Sequence, residues 1–204
     1  ANPETRTIYP FEFALHILFE VMENTLRMQV SVKNEDDRPM PYNFGFHPAL
    51  RWPLPDGSPR GEHVIAFDQP ELAPVRRLNS QGLLNDERFP TPVAEQTLLL
   101  NDDLFVEDAL IFDQLRSRRL NYRGSSGETV DISWDNLSDF ALWSKPGAGY
   151  ICIEPWQGHA DPAGFDGDIW HKPGIMAIGP GETHFFEMRI ALKADPAKTN
   201  SISA

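Results

Sequence analysis

The sequence predicts an all-β protein, a large antiparallel β-sandwich, and three observations carry that expectation. Short apolar runs alternate at the two-residue period of strands, turn signals separate them at close intervals, and no segment holds an amphipathic helical period over a useful length. The composition agrees: 18 prolines and 14 glycines in 204 residues supply the turns that many short strands need, and a hydrophobic fraction of 41% is ordinary for a globular chain. That length can bury a sizeable core, so one sandwich domain over residues 1–204 is the default.

The elements follow in order. Phe13, Leu15, Ile17 and Phe19 alternate with Ala14, His16 and Leu18, which predicts a strand with at least one buried face. Leu26, Met28, Val30 and Val32 alternate with Arg27, Gln29, Ser31 and Lys33, and the polar Glu23-Asn24-Thr25 between the two runs reads as the tight turn of a hairpin. Asn34 to Pro41 reads as a charged loop in which Pro39 and Pro41 prevent regular ladder pairing, and the prolines of Pro53 to Pro59 demand an irregular surface connection. Residues 64–100 predict brief strands and excursions, and Asn101-Asp102-Asp103 can cap one short helical turn. Strands recur around Leu120 to Arg123, Val130 to Trp134, Phe140 to Ser144 and Tyr150 to Glu154, separated by turns at Gly124 to Gly127 and Lys145 to Gly147. A Gly179-Pro180-Gly181-Glu182 turn launches the last strand, on which Phe186, Met188, Ile190 and Leu192 share a face, and a polar, frayed tail is expected from Ala194.

Charge and cysteine content narrow the function classes. A formal net charge of −12, with no basic stripe among aromatics, argues against nucleic acid and against an anionic membrane surface as partners. Cys152 is the single cysteine, so an internal disulfide and a cysteine-based zinc site are both excluded from expectation, and the compartment reads as reducing. Ala1 to Thr7 has neither the basic nor the apolar region of a leader, and no apolar run reaches membrane-spanning length, which together predict a cytoplasmic protein.

Two residues stand out as candidate acid–base groups. His47, in Asn43-Phe44-Gly45-Phe46-His47-Pro48, and Glu154, in Cys152-Ile153-Glu154-Pro155-Trp156, each precede a proline that biases the backbone toward an extended conformation, a stiff support near a strand end. Frequent X-Pro pairs are the bland explanation in a proline-rich chain. Glu154 follows an apolar strand and is flanked by Trp156, so partial burial would raise its pKa toward the range useful to a base; a solvent-facing strand-end glutamate is the even alternative.

At these segments the sequence resembles a known family. Phe44-Gly45-Phe46-His47-Pro48-Ala49-Leu50, Asp108-Ala109-Leu110-Ile111-Phe112, Ile151-Cys152-Ile153-Glu154-Pro155-Trp156 and the closing Lys172-Pro173-Gly174-Ile175 to Glu182 passage are similar, in that order, to the aldose 1-epimerase (galactose mutarotase-like) family, and most of all to its lactose-operon-associated branch. The resemblance implies a galactose mutarotase-like supersandwich whose concave face holds a monosaccharide, and a reaction without cofactor or metal. It implies that Glu154, ionised, takes the proton of the anomeric hydroxyl while His47, protonated, serves the ring oxygen, the two converging from opposite edges of a sugar-sized hollow. It assigns substrate binding to Asp108, with Glu107 one register away. Phe46, Trp52 and Trp156 are candidate platforms for the pyranose, and Arg51 and Lys145 are candidate partners for a phosphate if the hexose carries one. Family members also carry strands upstream of the hairpin, with an arginine and a second histidine for the substrate, so residues 1–204 correspond to the C-terminal part of the family domain.

Other constellations are weaker. His159, Asp161, Asp166, Asp168 and His171 form a polar cluster whose spacing matches no strong metal motif and whose glycines favour a solvated loop. His16 and His184 read as structural. Two other functions stay open: a noncatalytic carbohydrate-binding or sensing domain on the same scaffold, and a glycoside hydrolase using Glu154 and Asp108.

Overall fold

The computed structural model describes residues 1–125, 127 and 129–193. Fourteen strands are defined among them: β1 Phe13–Met22, β2 Thr25–Asn34, β3 Met40–Tyr42, β4 Phe44–Gly45, β5 Ala49–Arg51, β6 Val64–Phe67, β7 Thr97–Leu99, β8 Leu110–Phe112, β9 Arg119–Arg123, β10 Thr129–Asp135, β11 Asp139–Trp143, β12 Tyr150–Gln157, β13 Met176–Ile178 and β14 Thr183–Lys193. They form a seven-stranded sheet in the order β1-β2-β14-β10-β9-β6-β7, a second sheet in the order β4-β12-β11-β8 with β5 also on β12, and a small β3-β13 ribbon. Every pairing between these strands is antiparallel.

The two larger sheets pack face to face, and alternation decides which side chains meet between them. Val30, Ile132 and Met188 from the first sheet and Phe112, Leu142, Ile151 and Ile153 from the second share one buried cluster. Aromatic contacts tie the layers together: Trp134 stacks on Phe140 at 5.2 Å, and Phe67 meets Phe112 at 5.8 Å. Because Ile151 and Ile153 turn into this core, Cys152 and Glu154 turn to the opposite face of the second sheet, which is where the site lies.

Four features differ from the sequence expectation. The hairpin forms through Glu23-Asn24, but its first strand has no fully buried residue: Phe19 is 63% and Val21 77% exposed. Leu15, Ile17 and Phe19 face the same way as their partners Val32, Val30 and Met28, yet β1 is the sheet's edge strand and all three stay about half exposed or more. Pro41 does lie in a ladder, opposite Ala177 in the β3-β13 ribbon, where proline is tolerated because β3 is paired on one side only. Strand β12 continues through Pro155 to Gln157, so Glu154 sits within a strand rather than at its end. A six-residue helix spans Pro3–Ile8; Asn2 caps it by accepting from the Thr5 N–H at 2.8 Å, and Pro3 at its first turn lacks only an N–H that would be unsatisfied anyway.

The expected short turn is a 3-10 segment, Asp102–Phe105, capped by Asn101. It anchors the proline-rich loop: Arg60 lies 3.4 Å over the Trp52 ring and donates to both oxygens of Asp102, at 2.7 and 3.2 Å. No helix among the described residues is long and apolar enough to cross a membrane. The turn at Gly124 to Gly127 falls partly, and the tail from Ala194 wholly, outside the described residues.

Candidate active site

Strand β12 is the spine of the site. Register places three cross-strand rows on its outward face: Ala49, Cys152 and Trp143; then Glu154, Ala141 and Ile111; then Gly45, Trp156 and Asp139. His47 lies in the connection between β4 and β5, both of which pair with β12, and that connection is pinned on each side. The Phe46 N–H donates to the Pro155 carbonyl at 3.0 Å, and the Ile153 N–H donates to the Pro48 carbonyl at 3.2 Å. The imidazole is thereby held beside Glu154, with Nδ1 3.4 Å from Oε1.

The two partners differ sharply in environment. The His47 side chain is 60% exposed, whereas that of Glu154 is 2% exposed and its Oε1 has no hydrogen-bond partner. Burial first, and the negative charge of Asp108 second, push the Glu154 carboxyl up to about 8. Charge is costly there, so the group is a carboxylic acid at neutral pH unless a proton passes to a neighbour. The ionised Glu154 expected from the resemblance is thus disfavoured at rest, for the same reason that makes it a strong base once ionised.

Trp156 follows two residues on and presents its ring beside this pair. The ring fits because the facing residue is glycine: a Cβ at Gly45 would overlap Cδ1 of Trp156 and stand 3.1 Å from its Cγ. Asn43, Gly45, His47, Trp156, His159 and Lys172 are among the residues around an open hollow of about 380 Å³, within the size range of small-molecule sites. Asp139 supports its far rim from a buried position, accepting from the Gly158 N–H at 3.1 Å, and burial raises its carboxyl.

The remaining candidates separate into those near this hollow and those elsewhere. Asp108 is exposed, in a left-handed conformation at φ 63°, and its charge is felt by Glu154; Glu107 has no such effect on Glu154. Arg51 shares the outward face of Cys152 but lies opposite Tyr150, four residues from Glu154, or about 13 Å along the strand. Trp52 is fully buried against Phe105 and Arg60, and Phe46 is 7% exposed within the core. Neither ring offers a face to a ligand, because both turn inward on strand-flanking positions whose alternate neighbours face out; the platform reading survives for Trp156 alone. His47 and Glu154 also stand side by side rather than on opposite edges, since β4 and β5 both border the strand that carries the carboxyl.

Within the polar cluster, Asp161 pairs with Lys172 at 2.7 Å, Asp168 caps the Trp170 N–H at 3.0 Å, and His159 borders the hollow. His184 accepts or donates at Nδ1 to the Tyr42 hydroxyl at 2.7 Å. Sequence reasoning missed Gly45 and Asp139; the Phe-Gly-Phe alternation, with a glycine on the outward row, was the available signal for the first. A larger depression, about 840 Å³, lies on the outer face of the seven-stranded sheet among Arg27, Arg119, Asp131 and Arg189, where charges are largely paired with one another. It contains no acid–base pair beside an apolar platform.

Comparison with known proteins agrees with this fold. The family model described as aldose 1-epimerase matches residues 1–176. Two LacX proteins of Lactococcus lactis subsp. lactis, one plasmid and one chromosomal, are each 28% identical over 187 residues, or 89% of this chain. The chain spans 62% of the length of these curated relatives. Among solved structures, a galactose mutarotase related enzyme from Lactobacillus acidophilus superposes with a TM-score of 0.82 at 29% identity, covering 96% of this chain and 66% of that one. A galactose mutarotase-like protein from Lactobacillus casei gives 0.83 at 23% identity, covering 95% and 67%, and supports the fold alone. The match over most of its length shows that the chain belongs to the aldose 1-epimerase family.

Proposed function

We propose that this chain carries the acid–base centre of an enzyme that interconverts the α and β anomers of a free hexose. The observation that supports this reading most is the contact between His47 Nδ1 and the buried, unpartnered Oε1 of Glu154 at 3.4 Å, next to the Trp156 ring. The anomeric hydroxyl and the ring oxygen of a pyranose are bonded to one carbon. A base and an acid standing side by side therefore reach both at once.

Glu154 takes the hydroxyl proton as His47 gives a proton to the ring oxygen, the carbon–oxygen bond of the ring breaks, and an open-chain aldehyde forms. Rotation about the bond to the next carbon exposes the other carbonyl face. The reverse transfers then close the ring as the second anomer, with no net change in protons or electrons. Trp156 offers a stacking face for the pyranose, and Asp108 an acceptor for its hydroxyls. A free sugar suits the site better than a phosphorylated one, because Lys172 is paired with Asp161 and Arg51 stands well along the strand.

One observation favours a second reading. A Glu154 carboxyl at about 8, influenced by the nearby Asp108, is also what a glycoside hydrolase requires of its general acid. Polarimetry of freshly dissolved α-glucose and α-galactose separates the two: the epimerase accelerates the drift to equilibrium, while intact aryl glycosides show no release of reducing sugar. Release from a glycoside, with unassisted mutarotation, would replace the first reading by the second.

A further inference from the structure

His47 and Glu154 have a third neighbour that the acid–base reading does not use. Cys152 lies two residues before Glu154 on the same outward face of β12, buried and free. One ligand atom each from His47, Cys152 and Glu154 fall within 4.8 Å of one another, the only such grouping of three among the described residues. We propose that these three side chains form a binding site for a thiophilic divalent cation, zinc in the first instance, and that the bound ion switches the acid–base pair off.

The donor set has the chemistry of a zinc site that keeps one position open. An imidazole nitrogen, a thiolate and a carboxylate oxygen are the three ligand types zinc takes, and tetrahedral coordination at about 2.0–2.3 Å places them roughly 3.3–3.8 Å apart. The separations therefore exceed that range by at most about 1 Å. His47 has the room to turn toward the other two, because its side chain is 60% exposed while Cys152 and Glu154 are buried on one strand. Glu154 supplies the second independent sign of a ligand: its Oε1 is buried with no hydrogen-bond partner, and its one polar contact among the described residues, 3.4 Å to His47 Nδ1, is with a group that would share the ion. Binding displaces the protons of the Cys152 thiol and of the Glu154 carboxyl and releases both to solvent, so it strengthens as pH rises. The thiolate selects zinc or cadmium over magnesium or calcium, which prefer oxygen alone.

One cysteine is too few for a structural zinc site, which is why the sequence argued against metal. It is enough here because folding brings a histidine from more than a hundred residues away. The inhibitory consequence rests on the proposed epimerase reading, since the ion would occupy both the base and the acid; the binding site itself does not.

The test uses the whole chain, reduced and metal-free, titrated with Co²⁺. Since the sequence holds a single cysteine, a thiolate-to-cobalt charge-transfer band reports Cys152 alone. The expected result is a band that saturates at one equivalent, is displaced by Zn²⁺ and resists excess Mg²⁺. It vanishes in Cys152→Ala, and in His47→Ala the zinc affinity falls more than about tenfold, as loss of a direct ligand demands. Zinc then slows mutarotation by the wild type and loses that effect in Cys152→Ala. No band in the folded wild type, or equal zinc affinity in wild type and both variants, overturns the site. A chain that shows the band without any mutarotation retains the metal site and loses the epimerase reading instead.

Discussion

Gly45 and Trp156 face each other across the β4-β12 ladder with no room between them: any Cβ at residue 45 would enter the indole ring. The glycine is thus what leaves room for an aromatic ring at the hollow that His47 also borders. Gly45→Ala should displace the ring, lower stability by about 1–3 kcal/mol as overpacking does, and raise KM for the hexose by a larger factor than it lowers kcat. Urea unfolding and saturation kinetics check this; an unchanged KM would show that the ring does not touch substrate.

Glu154 makes stability depend on pH in a direction opposite to that of a salt-bridged carboxylate. The unfolded group titrates near its ordinary 4.5 and the folded one at about 8, so between those values the folded state holds the extra proton. Its burden is absent below pH 4.5, grows as pH rises toward 8, and is complete above it. Glu154→Gln should therefore gain on the wild type by on the order of a few kcal/mol between pH 5 and pH 9 in denaturant titrations. A difference independent of pH would contradict the burial argument.

The two tryptophans of the sequence reading should part company. Trp52→Ala removes a fully buried core ring and should cost about 3–5 kcal/mol, with KM preserved in whatever remains folded. Trp156→Ala, which opens a half-buried position at the hollow, should cost less stability and raise KM severalfold. Melting temperatures and KM for both variants decide; the reverse pattern would return Trp52 to the site.

The exposed inner row of β1 should be energetically quiet in this chain. Phe19→Thr and Val21→Thr remove side chains that are 63% and 77% exposed, and each should change stability by less than about 1 kcal/mol, against about 2 kcal/mol or more for Met28→Ala on the adjacent strand. Chemical denaturation measures both. Equal losses would mean that β1 is covered.

Much of this was legible in the sequence where local pattern and burial agree. The Leu26 to Val32 alternation forms β2, whose Met28, Val30 and Val32 are buried. His47 and Glu154, more than a hundred residues apart, do meet, as the family resemblance implies. What the pattern could not supply is depth and neighbourhood. The β1 alternation is as regular as that of β2, but only the sheet order shows that it lies at an edge. Phe46, Trp52 and Trp156 are equally aromatic neighbours of the motifs, and only register decides which turn inward. Asp139 reaches the rim through its pairing with Trp156, a contact between strands that no local spacing encodes.

The central claim is that Glu154 acts as base and His47 as acid on one anomeric centre, and the most direct measurement is the pH dependence of mutarotation in wild type, Glu154→Gln and His47→Ala. The account predicts a bell-shaped pH dependence of wild-type kcat/KM, because the reactive form needs Glu154 ionised and His47 protonated, with a limb near pH 8 set by Glu154 that Glu154→Gln loses, and at least about a hundredfold loss of rate in each variant with a native circular dichroism spectrum. Wild-type rates retained in both folded variants would contradict it.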